Sequence, residues 1–454
     1  MSSAHTIADP AYQRVLRDAL RVRWSTAADA EAIAHLQSVV YRSSADAPVQ
    51  SPAIQDRIQR QVQGNYLMGA SDYAVVEDTS RTDHPLVACA CLWQHTWEYA
   101  GIPLGVGRPE YVAVDPAYRR RGLVREIFTL LHARSEVRGD LIQAITGIPY
   151  FYRQFGYEYA LDLEGARCVP LSLIPALGAG AEEPYRLRKA TAEDMRRLIS
   201  LQDTRRQVML LWDVKPESFW SHHLIELADN QIPSKRSEFQ VMVDRGGDVV
   251  SYVYVGTKRW DQYLGVYACE LDPTVNIWTL LPTLLRALEQ HGHAVPAIDT
   301  EEPLRAIKFQ LGREHPLYEV LGTELAPLHS PPYAWYIRVG DPWGFLTHIA
   351  PAIEQRLHGS PFATYTGDLK VDWYRDGLRL GITAGKITAL ERWQAPDYGD
   401  AAQAGCPGLV FVQTLFGYRS FAELQTIYPD VWATYEAQAL LQVLFPRRPS
   451  LVWD

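Results

Sequence analysis

The sequence predicts a mixed α+β and α/β fold, made of two related domains in tandem and a third, smaller α+β domain. Three observations carry this prediction: strand-like and helix-like segments alternate early in the chain, their order recurs after a Pro-, Gly- and Ala-rich stretch, and short strands around an amphipathic helix follow near residue 343. The predicted divisions are a leader at 1–19, a first domain at 20–169, a linker at 170–184, a second domain at 185–342 and a third domain at 343–454.

The first domain begins with a polar leader, which we expect to lie on the surface. A strand is predicted at 20–23, and Thr26 is an N-cap candidate for a helix over 27–40 whose apolar residues share one face. A second helix is predicted at 54–63 and strands at 73–76, 86–93 and 141–146, while 101–109 is predicted to be a loop.

One stretch, YVAVDPAYRRRGLVR at 111–125, combines a strand, a basic turn and a helix start. Asp115 and Pro116 end the strand, because proline cannot donate to a central ladder. The free N–H groups of a first helical turn attract anions, Gly122 lets a backbone approach a phosphate without a Cβ, and the turn carries Arg119, Arg120, Arg121 and Arg125. Taken alone, RRRG could equally be a solvated basic turn.

A second segment, YFYRQFGY at 150–157, follows in the same domain. Together the two segments resemble the acetyl-CoA-binding core of the GNAT acetyltransferases, whose fold is a mixed central sheet with flanking helices. The family's R-x-x-G-x-G/A loop matches at Arg119, Gly122 and Val124, although Val124 departs from the usual small residue. The variant RRRGLxR is typical of the Eis-like branch, which are bacterial amine acetyltransferases.

The resemblance implies roles for particular residues. Strand backbone groups at Val112, Ala113 and Val114 would hold the pantetheine arm and face the thioester oxygen, even though the valine side chains also suit a core strand. The remaining cofactor-binding residues implied are Arg120, Arg121, Gly122, Leu123, Val124, Arg125, Gly147 and Ile148. Tyr152 would protonate the leaving thiolate as general acid; the alternative is that it is one of several aromatic residues that pack a helix on the sheet.

Eis-like enzymes use the carboxylate of the C-terminal residue as the base, which here would be Asp454. The family usually ends in an aromatic residue, so an aspartate is a departure, and a tail free in solvent is the alternative. His95 is a weaker candidate base and suits an ordinary strand histidine equally well. Trp93, Trp97 and Tyr99 could line an amine pocket, or serve only as scaffold.

The second domain repeats the order of the first without its chemistry. A strand and helix start at 186–202 parallels that at 21–37, and the predicted strand at 263–273 and helix at 280–289 mirror those around the basic turn. Residues 274–278 contain neither glycine nor arginine where the first copy has RRRGLVR. We therefore interpret this copy as degenerate and unable to bind a pyrophosphate.

The third region is predicted to open with a helix at 344–357, followed by strands at 369–373, 378–382 and 387–393 and a late helix at 432–444. Its segments QTLFGYRS at 413–420, Pro429–Asp430 and LFP at 444–446 resemble the sterol-carrier-like C-terminal domain of Eis-type acetyltransferases. The three-part order covers nearly the whole chain, and this resemblance implies a homo-oligomer such as a hexamer.

Composition limits the remaining possibilities. A net charge of −9 argues against a nucleic-acid partner. Five scattered cysteines and the lack of a Cys/His cluster at zinc spacing favour buried thiols over a disulfide framework or a metal. Because no apolar leader or membrane-length run occurs, we expect a cytoplasmic protein without a membrane span.

The sequence thus predicts an acetyl-CoA-dependent N-acetyltransferase without a metal, acting on primary amines in a ternary complex. The leading acceptor class is a small polyamine or aminoglycoside-like cation, and its rival is a protein or peptide amine. The competing hypothesis from another class is a non-catalytic regulator that binds acyl-CoA or lipid.

Overall fold

The computed structural model describes residues 3–42, 50–229, 231–298, 302–396 and 401–453. The helices are α1 (Ser3–Ala8), α2 (Ala30–Val40), α3 (Pro52–Gln63), α4 (Leu123–Arg138), α5 (Met195–Arg206), α6 (Glu217–Ser221), α7 (Ile277–Ala294), α8 (Pro316–Leu325), α9 (Pro342–His358), α10 (Gly408–Leu415), α11 (Phe421–Ile427) and α12 (Tyr435–Leu444).

The strands of the first part are β1 (Gln13–Val15), β2 (Leu20–Trp24), β3 (Tyr73–Asp78), β4 (Leu86–Tyr99), β5 (Ile102–Val114), β6 (Ile142–Ile145), β7 (Glu158–Leu163), β8 (Ala166–Pro170), β9 (Arg186–Lys189), β10 (Leu211–Asp213) and β11 (Ser237–Val243). The later strands are β12 (Val249–Gly256), β13 (Arg259–Trp260), β14 (Tyr263–Leu271), β15 (Ala297–Ile298), β16 (Ala306–Phe309), β17 (Leu328–Ser330), β18 (Tyr333–Arg338), β19 (Gly367–Asp372), β20 (Gly377–Thr383), β21 (Lys386–Trp393), β22 (Ala404–Gly405) and β23 (Trp432–Ala433).

The chain forms two compact units, and neither is continuous in sequence. The first contains 1–161, 209–214 and 334–454, and the second contains 162–208 and 215–333. The three predicted domains and their boundaries stay a prediction, and residue contacts group the first and last thirds of the chain into one unit.

A mixed sheet organises the first unit. Its strand order is β1-β2-β3-β4-β5-β6-β18-β7, and β10 pairs with β4. Strands β1 to β5 are antiparallel, and β5 pairs in parallel with β6. One face packs on α4 around Phe128 and Leu131, and the other packs on α2 and α3 around Ile33 and Ile58. The predicted mixed sheet with flanking helices is confirmed.

The sequence predicts a leader that lies on the surface, but part of the leader is buried. Ala4 and Ala8 of α1 are buried, and α1 packs on α4. The guanidinium of Arg134 donates from Nη2 to the Ala8 carbonyl at 2.9 Å while stacking on Trp24. This buried cation fixes the end of the leader to the sheet's α4 face.

The loop predicted at 101–109 is wrong, because strand β5 runs through it. Ala100 and Gly101, both at positive φ, form a tight turn that connects β4 directly to β5. Further along β5, glycine is needed for close packing and not for a turn. A Cβ on Gly107 would lie 2.3 Å from the Ser135 hydroxyl of α4.

The second unit confirms the internal repeat. Its elements β9, α5, β11, β12, β14, α7 and β16 follow in the order of β2, α2, β3, β4, β5, α4 and β6. The sheet order is β17-β8-β16-β14-β12-β11-β9, and α7 packs its leucines into that sheet's core. The predicted strand at 263–273 and helix at 280–289 correspond to β14 and α7.

Each of the two large sheets takes in a strand from beyond its own repeat. β18, which follows the second repeat in sequence, lies between β6 and β7 in the first unit's sheet. β8, which follows the first repeat, pairs with β16 and β17 in the second unit's sheet.

The last third of the chain carries a five-stranded sheet of its own, ordered β21-β20-β19-β22-β23. Helix α9 packs on β21 and α12 packs on α9, so the predicted opening helix and the three predicted strands are confirmed. The late helix begins at Tyr435 instead of Trp432, because the Thr434 side chain accepts the Ala437 N–H as an N-cap and residues 432–433 form β23.

All five cysteines are buried thiols in the reduced state. Within the described ranges, no group of three or more side chains is arranged to hold a metal ion. A helix with the length and hydropathy of a membrane span is likewise absent from that part of the chain.

Candidate active site

The basic turn links β5 to α4. Asp115 caps a short 3-10 turn by accepting the Ala117 N–H at 2.9 Å. Arg120 and Gly122 then adopt left-handed φ values of 63° and 76°. The space around a Cβ at Gly122 is open, so glycine serves the backbone conformation there and does not relieve a clash.

Four arginines surround the start of α4, namely Arg119, Arg120, Arg121 and Arg125, and all are exposed. Among the described residues none of the four forms an ion pair. Arg121 stacks on Tyr118 at 4.8 Å, and Arg125 stacks on Phe155 at 5.3 Å. The N-cap residue of α4 is Gly122, so no N-cap side chain accepts from the first N–H groups of the helix. No described residue accepts the N–H groups of Leu123 or Val124, so this helix start presents open donors and uncompensated positive charge.

The homologous helix start in the second copy is closed. Asn276 caps α7 by accepting the Trp278 N–H at 3.0 Å. Asp272 in the preceding turn accepts from Thr274 at 2.6 Å and pairs with Arg197. The helix start of the second copy is therefore capped by its own side chains, whereas that of α4 is not.

Strand β5 is bulged beside the predicted thioester residues. Cys91 pairs with Glu110 and Cys89 pairs with Ala113, so β5 holds one more residue than β4 between these pairs. Tyr111 sits in this bulge with a φ of 53°. The bulge turns Ala113 into the core against α2 and α3, while Val112 and Val114 pack towards α4.

β5 and β6 also separate along their length. They pair only at Val106 with Ile142 and at Gly107 with Gln143, although β5 continues to Val114. Among the described residues, the backbone at 112–114 therefore has no ladder partner on its β6 side. The Tyr41 hydroxyl donates to the Val112 carbonyl at 2.8 Å.

Gly147 and Ile148 lie in the loop that follows β6. Gly147 has a φ of 99°, and the Ile148 side chain is exposed. The Ile148 carbonyl accepts the Tyr336 hydroxyl at 3.1 Å, which ties this loop to β18.

Tyr152 begins a 3-10 turn after this loop and is 3% exposed. Its ring packs on Phe128 at 5.7 Å and on Tyr336 at 5.4 Å. Burial raises the pKa of the Tyr152 hydroxyl, and the nearby charge of Glu110 raises it further. The group therefore keeps its proton at neutral pH, and its hydroxyl has no hydrogen-bond partner among the described residues.

On the α2 and α3 face of the sheet, Arg108 forms a buried ionic centre. Its Nε lies 2.6 Å from a Glu110 oxygen, and its guanidinium stacks on Trp93 and Trp335 at 5.2 and 4.5 Å. Arg108 also donates from Nη1 to the Trp453 carbonyl at 3.0 Å.

The tail that ends in Trp453 is held along its length. Leu210 donates to the Pro449 carbonyl at 2.7 Å, and Leu451 donates to the Leu211 carbonyl at 3.0 Å. Strand β10 in turn pairs with β4, so the tail lies along the sheet that carries the bulge. Asp454, the predicted base, lies outside the described residues.

β10 also brings Asp213 to His95, with 3.7 Å between Oδ1 and Nδ1. His95 is a candidate from the sequence but Asp213 is not, because β10 lies between the two repeats and carries no motif. The sequence analysis also missed Tyr41, Arg108 and Glu110, whose proximity to the bulge depends on strand register and helix packing.

Residues 21–160 match the family described as "Acetyltransferase (GNAT) domain". No curated protein matches the chain by sequence.

Solved structures resemble the chain over nearly its full length. A GCN5-related N-acetyltransferase from Kribbella flavida has 18% identity and a TM-score of 0.62, covering 95% of this chain and 97% of its own. A GCN5-related N-acetyltransferase from Anabaena variabilis has 10% identity and a TM-score of 0.65, with coverages of 95% and 98%. Eis1 from Mycobacterium abscessus has 15% identity and a TM-score of 0.54, with the same coverages. At these identities the likeness concerns the fold. Residues 21–160 form an acetyltransferase domain of the GNAT type, and the protein that carries it is an acyltransferase.

Proposed function

We propose that the protein is an acetyl-CoA-dependent N-acetyltransferase that transfers the acetyl group directly to a primary amine in a ternary complex. The observation that carries the proposal is the open, uncompensated helix start at Arg119–Arg125. It follows a bulged strand whose backbone is free on one side. A polyanionic ligand with an extended arm fits this combination.

The pyrophosphate of acetyl-CoA would lie on Arg120, Arg121, Gly122, Leu123, Val124 and Arg125. The pantetheine arm would follow the backbone of Val112, Ala113 and Val114, with Gly147 and Ile148 on its opposite side. The open β6 side of β5 supports this path. No metal is required by the proposed chemistry.

The reaction forms a bond between the amine nitrogen and the acetyl carbon and breaks the bond between that carbon and sulfur. Tyr152 would donate its hydroxyl proton to the departing thiolate; its burial and raised pKa keep the hydroxyl protonated at neutral pH, as a proton donor must be. A backbone N–H of the bulge would stabilise the negative charge on the thioester oxygen.

The amine must lose a proton before or during attack. We propose that the C-terminal carboxylate at Asp454 accepts it. The docking of Trp453 on Arg108 supports a tail held at this face of the sheet, next to the residue pair Arg108–Glu110.

The acceptor expected from the sequence is a small polyamine or aminoglycoside-like cation, with a protein or peptide amine as the rival. The same proposal includes the Eis-like subtype, the sterol-carrier-like nature of the third domain, the cytoplasmic location and a homo-oligomer such as a hexamer. The full-length fold likeness to Eis1 and the separate five-stranded sheet near the C-terminus support its three-part architecture.

Calorimetric titration with acetyl-CoA separates this proposal from a non-catalytic, lipid-binding regulator. We expect sub-millimolar binding that weakens markedly in Arg121→Ala and in Gly122→Asp, whose carboxylate would oppose the phosphates. Arg245→Ala is the control, because Arg245 is an exposed arginine of the second unit, paired with Glu182. A thiol-release assay across an amine panel then tests turnover. Failure of the parent protein to bind acetyl-CoA would favour the regulator.

A further inference from the structure

Arg57 lies beside the bulge of β5. It projects from α3, and its guanidinium carbon lies 3.7 Å from the centre of the Tyr111 ring. One terminal nitrogen donates to the Gln37 side chain of α2. Arg57 therefore joins both helices to the bulged residue of β5.

This guanidinium lacks an ionic partner within the described chain. Its Nε is fully buried and finds no acceptor there, and none of the described carboxylates lies within ion-pair distance. Two buried arginines of the same unit differ in this respect: Arg134 pairs with Asp72 at 2.9 Å, and Arg108 pairs with Glu110 at 2.6 Å. A half-buried guanidinium with one buried N–H that lacks an acceptor, and with no counter-charge in the described chain, is suited to meeting an anion supplied by a ligand.

The guanidinium of Arg57 lies next to the strand segment that is predicted to hold the thioester, because Tyr111 directly precedes Val112 in β5. The Val112 carbonyl in turn accepts the Tyr41 hydroxyl at 2.8 Å. A group bound to Arg57 would thus lie close to an amine that attacks a thioester held at Val112.

We propose that Arg57 binds a carboxylate carried by the acceptor, so that the preferred substrates are amino acids or similarly short amino carboxylates. A guanidinium recognises a carboxylate through paired N–H donors, which would also orient the amine. A polyamine or aminoglycoside-like cation would instead bring positive charge next to Arg57. The inference rests on the proposed N-acetyltransferase function and replaces the cationic acceptor class expected from the sequence with amino carboxylates.

Matched acceptor pairs that differ only by the carboxylate test this inference. The compounds are lysine with cadaverine, ornithine with putrescine, and phenylalanine with phenethylamine. The enzymes are the parent chain, Arg57→Gln and Arg57→Lys. Arg60→Gln is the control, because Arg60 lies on the same helix and pairs with Asp56 at 3.1 Å. Thiol release from acetyl-CoA gives kcat and KM for every combination, and thermal unfolding verifies that each variant is folded.

We expect the parent to favour the carboxylated member of at least one pair. Arg57→Gln should lower kcat/KM for that compound roughly 100-fold, mainly through KM, while changing its partner by a few-fold at most. The kcat/KM of Arg57→Lys for that compound should lie between those of the parent and Arg57→Gln, and the kcat/KM of Arg60→Gln should match that of the parent. The inference is overturned if the parent favours the decarboxylated members, or if Arg57→Gln affects both members equally, as it would if Arg57 served only the fold or the C-terminal carboxylate. If acetyl-CoA binds but no amine of any kind is acetylated, the proposed function itself fails.

Discussion

Arg108 offers the sharpest test of how the C-terminal tail is held on the first unit's sheet. We predict that its replacement by methionine is strongly destabilising. Methionine keeps much of the apolar contact with Trp93 and Trp335 but removes the charge. The Glu110 carboxylate, whose side chain is 15% exposed, then loses a partner at 2.6 Å. The Trp453 carbonyl loses its donor at 3.0 Å.

The expected magnitude follows from burial. Removing one partner of a buried ion pair typically costs about 3–5 kcal/mol. Because Glu110 keeps some contact with solvent, we expect the lower end, about 3 kcal/mol. In the double variant Arg108→Met/Glu110→Gln no carboxylate is left uncompensated, so most of this loss should be recovered, with a coupling of about 2 kcal/mol.

Urea unfolding followed by tryptophan fluorescence measures these differences, and digestion with a carboxypeptidase measures release of the tail. Both Arg108 variants should expose the tail, because each lacks the donor to Trp453. The exposed pair of Arg245 and Glu182 provides the control, and Arg245→Met should change stability by under about 0.5 kcal/mol. A loss below about 1 kcal/mol in the single variant, or a double variant as unstable as the single, would refute the reasoning.

Three further predictions concern the same unit. Tyr152→Phe should lower kcat by roughly 10²–10⁴ while leaving the Kd of acetyl-CoA nearly unchanged, and an unaltered kcat with a saturating amine would exclude the acid role. Removal of residues 452–454 should abolish thiol release but preserve acetyl-CoA binding in calorimetry; full activity in this truncation would exclude the C-terminal base. Burial raises the pKa of Asp140 to about 6 from 3.8, so the folded protein holds more protons than the unfolded chain between these values. Its stability should fall as pH rises through that window, by up to about 3 kcal/mol, and Asp140→Asn should remove this dependence in unfolding titrations.

Local chemistry explains which parts of the site could be predicted from the sequence. The turn around Gly122 can be predicted from the sequence, because a strand stop, clustered arginines and a helix start are contiguous. The strand at 102–109 is not predicted, because its glycines and prolines are typical of a loop. Gly107 is there to let α4 approach, which only the packed structure reveals.

Register and long-range pairing explain what was missed. Tyr111 adopts a left-handed φ without being Gly, Asn or Asp, so its composition gives no signal of a bulge. Asp213 reaches His95 only because β10, between the repeats, pairs with β4. Arg57 looked like an ordinary helix arginine until its neighbours in space were known.

The two copies of the fold separate structural requirements from ligand requirements. The second copy keeps the bulge: Val266 and Ala268 of β14 pair with consecutive residues of β12, and Tyr267 is the extra residue between them. The bulge alone therefore belongs to the fold and does not argue for chemistry. What differs is the helix start, which Asn276 caps in α7 and which α4 leaves open among four arginines that form no ion pair with any described residue. Since the same strand, bulge and helix form without that charge, folding does not explain the basic turn, and this supports the proposed binding of an anionic ligand there.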